Sequence, residues 1–347
     1  MRRHRNTIYV TTEGALLRKD GANIVMLVDG EEGGRVPGHM LDGIVCIGRV
    51  TLTQPLIGFC SELGITVSYL SSNGRFLARL EGPVSGNVLL RKEQYRRSED
   101  PVECSTIIQS VLAGKIYNQR AVVRRSLRDH SDNMPSSVSG RLTEVERQFS
   151  RLLQRLPHEW DSDRLRGIEG DAGRSYFSVF DSLIRARKGQ RLRFNGRSRR
   201  PPMDEVNAML SFLYTLLVHD CRSALEAVGL DPQMGFLHRP KPGRPSLALD
   251  LLEEFRPVLA DRLVLTVMNR GQISRKDFTV MENGAVTMTD KGRKRLLTAY
   301  QERKQDELQH PFLKEKTTVG LLPMLQAQLL ARHLRGDMDA YPPFLWK

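Results

Sequence analysis

Over the first 80 residues the apolar side chains come in short runs separated by glycine-containing turns. Runs at 8–10, 15–17, 24–28 and 44–47 are β-branched or aliphatic, and Asp20-Gly21, Asp29-Gly30 and Gly33-Gly34 punctuate them. That pattern predicts short strands joined by tight turns. One helix is expected at 54–63, where Leu56, Ile57, Cys60 and Leu63 fall at helical spacing. Runs at 65–70 and 75–80 flank Asn73-Gly74, a hairpin signal because both residues tolerate positive φ. A small, mostly antiparallel, sandwich-like β domain follows, with no cluster of catalytic side chains in it. Folding and dimerisation are the roles it suits.

Polar and turn residues at 81–103 suggest the crossing into a second domain, and beyond it the period changes. Ile107, Ile108, Val111, Leu112 and Ile116 form one helical stripe; Leu142, Val145, Phe149, Leu152 and Leu156 form another. Asp204 caps a helix carrying Val206, Met209, Leu210, Leu213 and Leu216, with Tyr214 read as packing. Asn283-Gly284 marks a hairpin, and helices are expected at 293–308 and 318–334 before an extended tail that packs its aromatics. The class is therefore α+β: a β-rich domain over 1–100, linker included, then a mainly α-helical domain over 101–347.

Charge sharpens this division. The chain of 347 residues carries a formal +13, and residues 1–100 hold 13 basic and 11 acidic side chains, so +11 lies downstream. A basic second domain suits a polyanion, because Lys and Arg that neutralise phosphates release counterions. Between residues 185 and 200 stand Arg185, Arg187, Lys188, Arg191, Arg193, Arg197, Arg199 and Arg200 with no acid among them, the candidate phosphate-binding loop. Four scattered cysteines without a CxxC pair exclude a zinc knuckle or disulfide framework. With no secretory signal at 1–10 and no apolar run of membrane length, a soluble cytoplasmic protein is expected, with no membrane partner.

The candidate chemistry sits at 230–256. His238 ends an apolar run, a Pro/Gly/basic loop follows, and a helix then carries Asp250, Glu253 and Glu254. Asp250 and Glu253 share a helical face, with Arg256 beyond them. An imidazole and carboxylates make half of a Mg²⁺ or Mn²⁺ site. Glu169, among small and apolar residues, is a further candidate, although a glutamate in a first helical turn is often simply solvated.

Four segments, EGDAGRSYF from Glu169, FNGRSRRPPMDEVNAMLSFLY from Phe194, GLDPQMGFLH from Gly229 and LALDLLEEFRP from Leu247, together resemble the CRISPR-associated integrase, or spacer-acquisition endonuclease, in its subtype I-C branch. HPFL from His310 and QAQLLARHLRGD from Gln326 continue the match over essentially the whole chain. The resemblance implies a metal site of Glu169, His238 and Glu253, the last standing where many members have aspartate. It makes Asp250 a supporting or substrate-side residue, Arg256 a phosphate holder where lysine is common, and Glu254 ordinary helix surface. It implies transesterification by a DNA 3′-hydroxyl at a CRISPR repeat in antiviral defence. The implied partners are double-stranded DNA, a second copy of the chain as homodimer, a small second acquisition subunit and an iron-sulfur nuclease. A non-catalytic DNA scaffold and a plain metal-dependent nuclease are the competing functions.

Overall fold

The computed structural model describes residues 6–71, 76–80, 88–130, 134–185, 192 and 194–346. The chain divides into two compact units, residues 1–86 and 87–347. In the first unit the strands are β1 (Asn6–Val10), β2 (Leu16–Asp20), β3 (Asn23–Val28), β4 (Glu31–Pro37), β5 (Leu41–Ile47) and β6 (Thr51–Leu52). After them come helix α1 (Gln54–Leu63) and strands β7 (Thr66–Leu70) and β8 (Phe76–Leu80). They form two four-stranded sheets, β1-β5-β7-β8 and β4-β3-β2-β6. Both contribute to one core containing Leu17, Ile24, Ile44, Leu56 and Val67.

Two details of the expected β domain change. β1/β5, β5/β7 and β2/β6 run parallel, so parallel and antiparallel pairs are equally represented. The crossover through α1 is what returns β7 parallel to β5. The Gly33-Gly34 step lies inside β4, where Gly34 pairs with Met26, and is a strand instead of a turn. Asn73-Gly74 lies outside the described residues.

The second unit is helical: α2 (Val88–Glu99), α3 (Pro101–His130), α4 (Ser136–Arg155), α5 (Ser162–Val179), α6 (Glu205–Ala227), α7 (Ser246–Phe255) and α8 (Arg262–Asn269). A hairpin of β9 (Phe278–Val280) and β10 (Val286–Met288), helix α9 (Asp290–Gln305), a second small hairpin of β11 (Glu307–Gln309) and β12 (Lys316–Thr318), and α10 (Leu322–Leu334) complete it. Both helical stripes are buried as expected, and α3 packs on α4, α5 and α7. Among the described residues no helix is long and apolar enough to cross a membrane.

The unit boundary falls before residue 100, because the polar stretch at 88–103 is the whole of α2 and the first turn of α3 instead of a linker. Asp100 accepts hydrogen bonds from the backbone N–H groups of Val102 and Glu103 at 2.9 and 3.0 Å. With Pro101 as the first helical residue, this is an N-cap. Gln94 anchors α2 by donating to the carbonyls of Asp231 and Met234, both at 2.8 Å.

Candidate active site

Helix α7 has no solvated face. Asp250, Glu253 and Glu254 are each at most 1% exposed, so three carboxylates on one short helix need separate sets of partners. Each has one.

Asp250 organises the loop that presents His238. Its Oδ2 accepts from the backbone N–H groups of Phe236 (2.6 Å) and Leu237 (3.1 Å), and its Oδ1 from the backbone N–H (2.9 Å) and ring Nδ1 (2.7 Å) of His238. A carboxylate here accepts the hydrogen bond from Nδ1–H, which keeps the proton on Nδ1 and leaves the Nε2 lone pair free. The loop can pass this close because residue 235 is glycine: a Cβ there would lie 2.7 Å from the Ser246 carbonyl carbon and 2.9 Å from Asp250 Oδ2. Asp250 is therefore a positioning residue for His238.

Glu253 faces the other way. Its Oε1 accepts from Arg256 Nη1 at 2.6 Å and lies 3.8 Å from His238 Nε2; its Oε2 is 2.9 Å from the Lys115 ammonium. Burial pushes this carboxyl up, but Arg256, Lys115 and His238 outweigh burial and hold it below the ordinary carboxylate range. The Lys115 ammonium, on α3, also donates to Oε1 of Glu169 on α5. Three helices thus bring the two acids together on one cation, while His238 addresses Glu253. Glu169 lies in the middle of α5, whose N-cap is Asp161, so the first-turn position considered for it does not apply.

Glu254 is not surface. Tyr341 Oη donates to Oε1 at 2.5 Å, and the Phe344 N–H (2.7 Å) and Gln326 Nε2 (3.0 Å) donate to Oε2. Burial pushes its carboxyl up to about 8 against those three hydrogen bonds. Its role is to fasten the C-terminal tail, whose Tyr341 and Phe344 are buried as the sequence suggested.

Beside the acids opens a cavity of about 550 Å³ whose lining includes five cations, Lys115, Arg174, Arg197, Arg199 and Arg256, and two acids, Glu169 and Asp261. The Asp261 carboxyl is pushed up to about 7 by burial, although Tyr214 Oη donates to it at 2.6 Å and Arg256 and Arg197 are near. Tyr214 also lies under Arg197 and Arg256, with 5.3 and 4.9 Å from its ring centroid to the guanidinium carbons. It therefore holds the cationic wall as well as packing. The cavity is suited to an anion.

The basic loop is only partly in this cavity. Arg197 and Arg199 line it, and Arg197 is fixed by donating to Asn207 Oδ1 at 2.7 Å. Arg185 is elsewhere, its backbone N–H on Asn269 Oδ1, and Arg200 is exposed. Arg187, Lys188, Arg191 and Arg193 lie outside the described residues. Local sequence did not single out Lys115, Gln119, Arg174 or Asp261. Lys115 left one signal: four residues after Val111, it places a charge on the apolar stripe of α3.

Among the described residues no three His, Cys, Asp or Glu side chains are gathered as a ready metal cage. The donor set nevertheless fits a hard divalent ion. It offers two carboxylates that already share a cation and an imidazole whose Nε2 is free.

The sequence model described as CRISPR associated protein Cas1 matches residues 8–302. The chain is 54% identical to the CRISPR-associated endonuclease Cas1 2 of Rhodospirillum rubrum and 51% identical to the CRISPR-associated endonuclease Cas1 1 of Chlorobaculum tepidum, each match covering 100% of both chains. It is 37% identical to a CRISPR-associated exonuclease Cas4/endonuclease Cas1 fusion of Geobacter sulfurreducens, covering 97% of this chain and 60% of the fusion. Among solved structures, a casposase bound to integration product superposes with a TM-score of 0.82 at 24% identity, over 98% of this chain and 94% of the other. A Cas6-RT-Cas1–Cas2 complex superposes with a TM-score of 0.81 at 22% identity, over 100% of this chain and 36% of that one. These two likenesses are of fold.

Proposed function

The chain belongs to the Cas1 family of CRISPR-associated proteins, and from that premise we propose that it is a divalent-metal-dependent DNA strand transferase of the subtype I-C branch. It inserts spacer DNA into a CRISPR array by attack of a DNA 3′-hydroxyl on a repeat phosphodiester. The observation that carries this is the meeting of Glu169 and Glu253 at a single cation position, with His238 turned towards Glu253 by Asp250. The names of the relatives support an endonuclease, and the cationic cavity supports a phosphodiester substrate.

Glu169, Glu253 and Nε2 of His238 would hold Mg²⁺ or Mn²⁺. Such an ion supplies Lewis-acid polarisation of the phosphoryl group and stabilises developing negative charge on oxygen. Glu253 remains ionised because Arg256 and Lys115 flank it, so its donor atoms are available at neutral pH. Arg197, Arg199 and Arg256 would bind the phosphate chain and orient the scissile bond in the cavity. No protein nucleophile is needed, since the attacking hydroxyl belongs to DNA.

The fusion of a relative to an exonuclease supports a nuclease partner, and the complex that shares this fold supports a small second acquisition subunit. A homodimer through residues 1–86 completes the proposal. The test incubates the chain with a short duplex and a supercoiled repeat-bearing plasmid in Mn²⁺, with and without the second subunit. A joined product is expected. Cleavage without joining would leave a plain nuclease, and no reaction in any divalent ion would leave a scaffold.

A further inference from the structure

Where α3 packs on α7, its contact face carries three residues that are not apolar core: Gly114, Lys115 and Asn118, all within about one helical turn. Lys115 joins Glu169 to Glu253. Gly114 and Asn118 serve a segment from far along the chain, residues 341–346, which lies against both helices. Phe344 alone touches the two, with its carbonyl on Asn118 and its N–H on Glu254.

Asn118 is fully buried and ties three elements together. Its Nδ2 donates to the carbonyls of Glu254 (2.7 Å) and Phe344 (2.9 Å), and its Oδ1 accepts from the Trp346 N–H at 2.8 Å. One side-chain amide thus uses both its donors and its acceptor on backbone groups of α7 and the segment. From α10 the buried Gln326 holds the same segment. Its Nε2 lies 3.0 Å from Glu254 Oε2, 2.8 Å from Tyr341 Oη and 3.0 Å from the Pro342 carbonyl. The Phe344 ring is enclosed between Phe255 and His310, each with its ring centroid 5.9 Å away. Gly114 is what lets these parts close up: a Cβ there would lie 3.0 Å from Glu254 Cγ and 3.1 Å from Pro343 Cβ.

The network sits next to the proposed metal donors without touching them. Glu254 follows Glu253 on the rigid helix α7, and Asn118 follows Lys115 by three residues on α3. Any slide of α7 at the Asn118 tie would carry Glu253 with it, away from Lys115 and Glu169. Apolar packing holds two helices together but tolerates such slides, whereas a buried and satisfied polar network fixes their register. Groups that hold metal ligands in place from behind commonly govern how well the metal binds.

We propose that residues 341–346, acting through Asn118 and Glu254, form a positioning strap that sets the separation of α3 and α7, and with it the approach of Glu253 to Glu169. The inference rests on the metal site proposed above. It adds Asn118, Gln326 and Tyr341 as positioning residues that meet neither metal nor DNA.

The test uses the full chain and two single variants that each favour the helical state of α3 locally. Gly114→Ala wedges Glu254 and Pro343 away from α3, and Asn118→Ala removes the tie. Mn²⁺ binding is read by electron paramagnetic resonance, without DNA, on samples whose circular dichroism shows them folded. Affinity should fall by roughly 10-fold in each variant, and joining should need correspondingly more Mn²⁺. Tyr341→Phe keeps the ring and loses only the hydroxyl shared by Glu254 and Gln326, so it tests the same point should Asn118→Ala not fold. Its affinity should fall by a smaller factor. Unchanged Mn²⁺ affinity in a folded Asn118→Ala or Gly114→Ala chain would overturn the proposal, since the segment would then support stability alone. If the unmodified chain binds no Mn²⁺, the metal site itself fails, and a crystal structure of Gly114→Ala decides the strap. Lys115 and Glu253 drawn apart would uphold it, and an unchanged contact would overturn it.

Discussion

Asp250 and Glu253 are three residues apart on the same helix and do different work. Asp250 receives three backbone N–H groups and the imidazole Nδ1, and so controls where His238 points; Glu253 meets Lys115, Arg256 and His238. Asp250→Asn replaces an oxygen facing these donors with an NH₂ group. It should lower folding stability by about 3 kcal/mol in denaturant titration and strand transfer by roughly 10- to 100-fold. Unchanged activity would show that His238 is oriented by something else. Glu254 gives a pH prediction. Its folded pKa of about 8 lies above its ordinary value of 4.5, so the folded chain binds this proton more tightly than the unfolded one. That contribution is fully present below pH 4.5 and is lost as pH rises through 8. Glu254→Gln should flatten the fall in melting temperature across that window relative to the unmodified chain. Parallel melting curves would contradict the assignment. The burial of Glu254 was not legible locally because its partners, Gln326, Tyr341 and Phe344, come from the far end of the chain. Lys115 was missed for the same reason: its charge is explained only by acids on two other helices.

Among the elements, α7 carries the site because a loop packs directly on it. Gly235 permits that approach, and Gly235→Ala should destabilise the fold by about 1–3 kcal/mol, since the added methyl meets backbone and a fixed carboxylate. A melting temperature within error of the unmodified chain would show that the loop can retreat freely. The helices with strong apolar periodicity, α3, α4 and α6, were legible because burial of one face fixes their phase. Polar α2 was not, since only Leu90 and Gln94 of its described side chains are buried and its anchor is a hydrogen bond to a distant loop. The β11/β12 hairpin likewise lacked a signal, because strands of three residues carry too little alternation.

At the scale of the whole molecule, charge follows the division into units. Residues 1–86 hold 9 basic and 8 acidic side chains, so +1 of the +13 lies there and +12 lies in the helical unit. The sequence made this asymmetry plain, and with it the unit to which the proposed DNA surface is assigned. It did not show that the basic loop divides, with Arg197 and Arg199 in the cavity and Arg185 outside it. Replacing Arg197 and Arg199 together with Gln should reduce the salt slope of DNA binding by about 2 and also lower strand transfer. A slope equal to that of the unmodified chain would remove both from the DNA contact.

The most direct measurement is strand transfer by His238→Ala in Mn²⁺, read as joined product beside DNA affinity on the same preparation. Joined product should disappear while affinity stays within about threefold, because the change removes a proposed metal donor and leaves the phosphate-binding arginines in place. Full joining by the variant would contradict a site built on Glu169, His238 and Glu253.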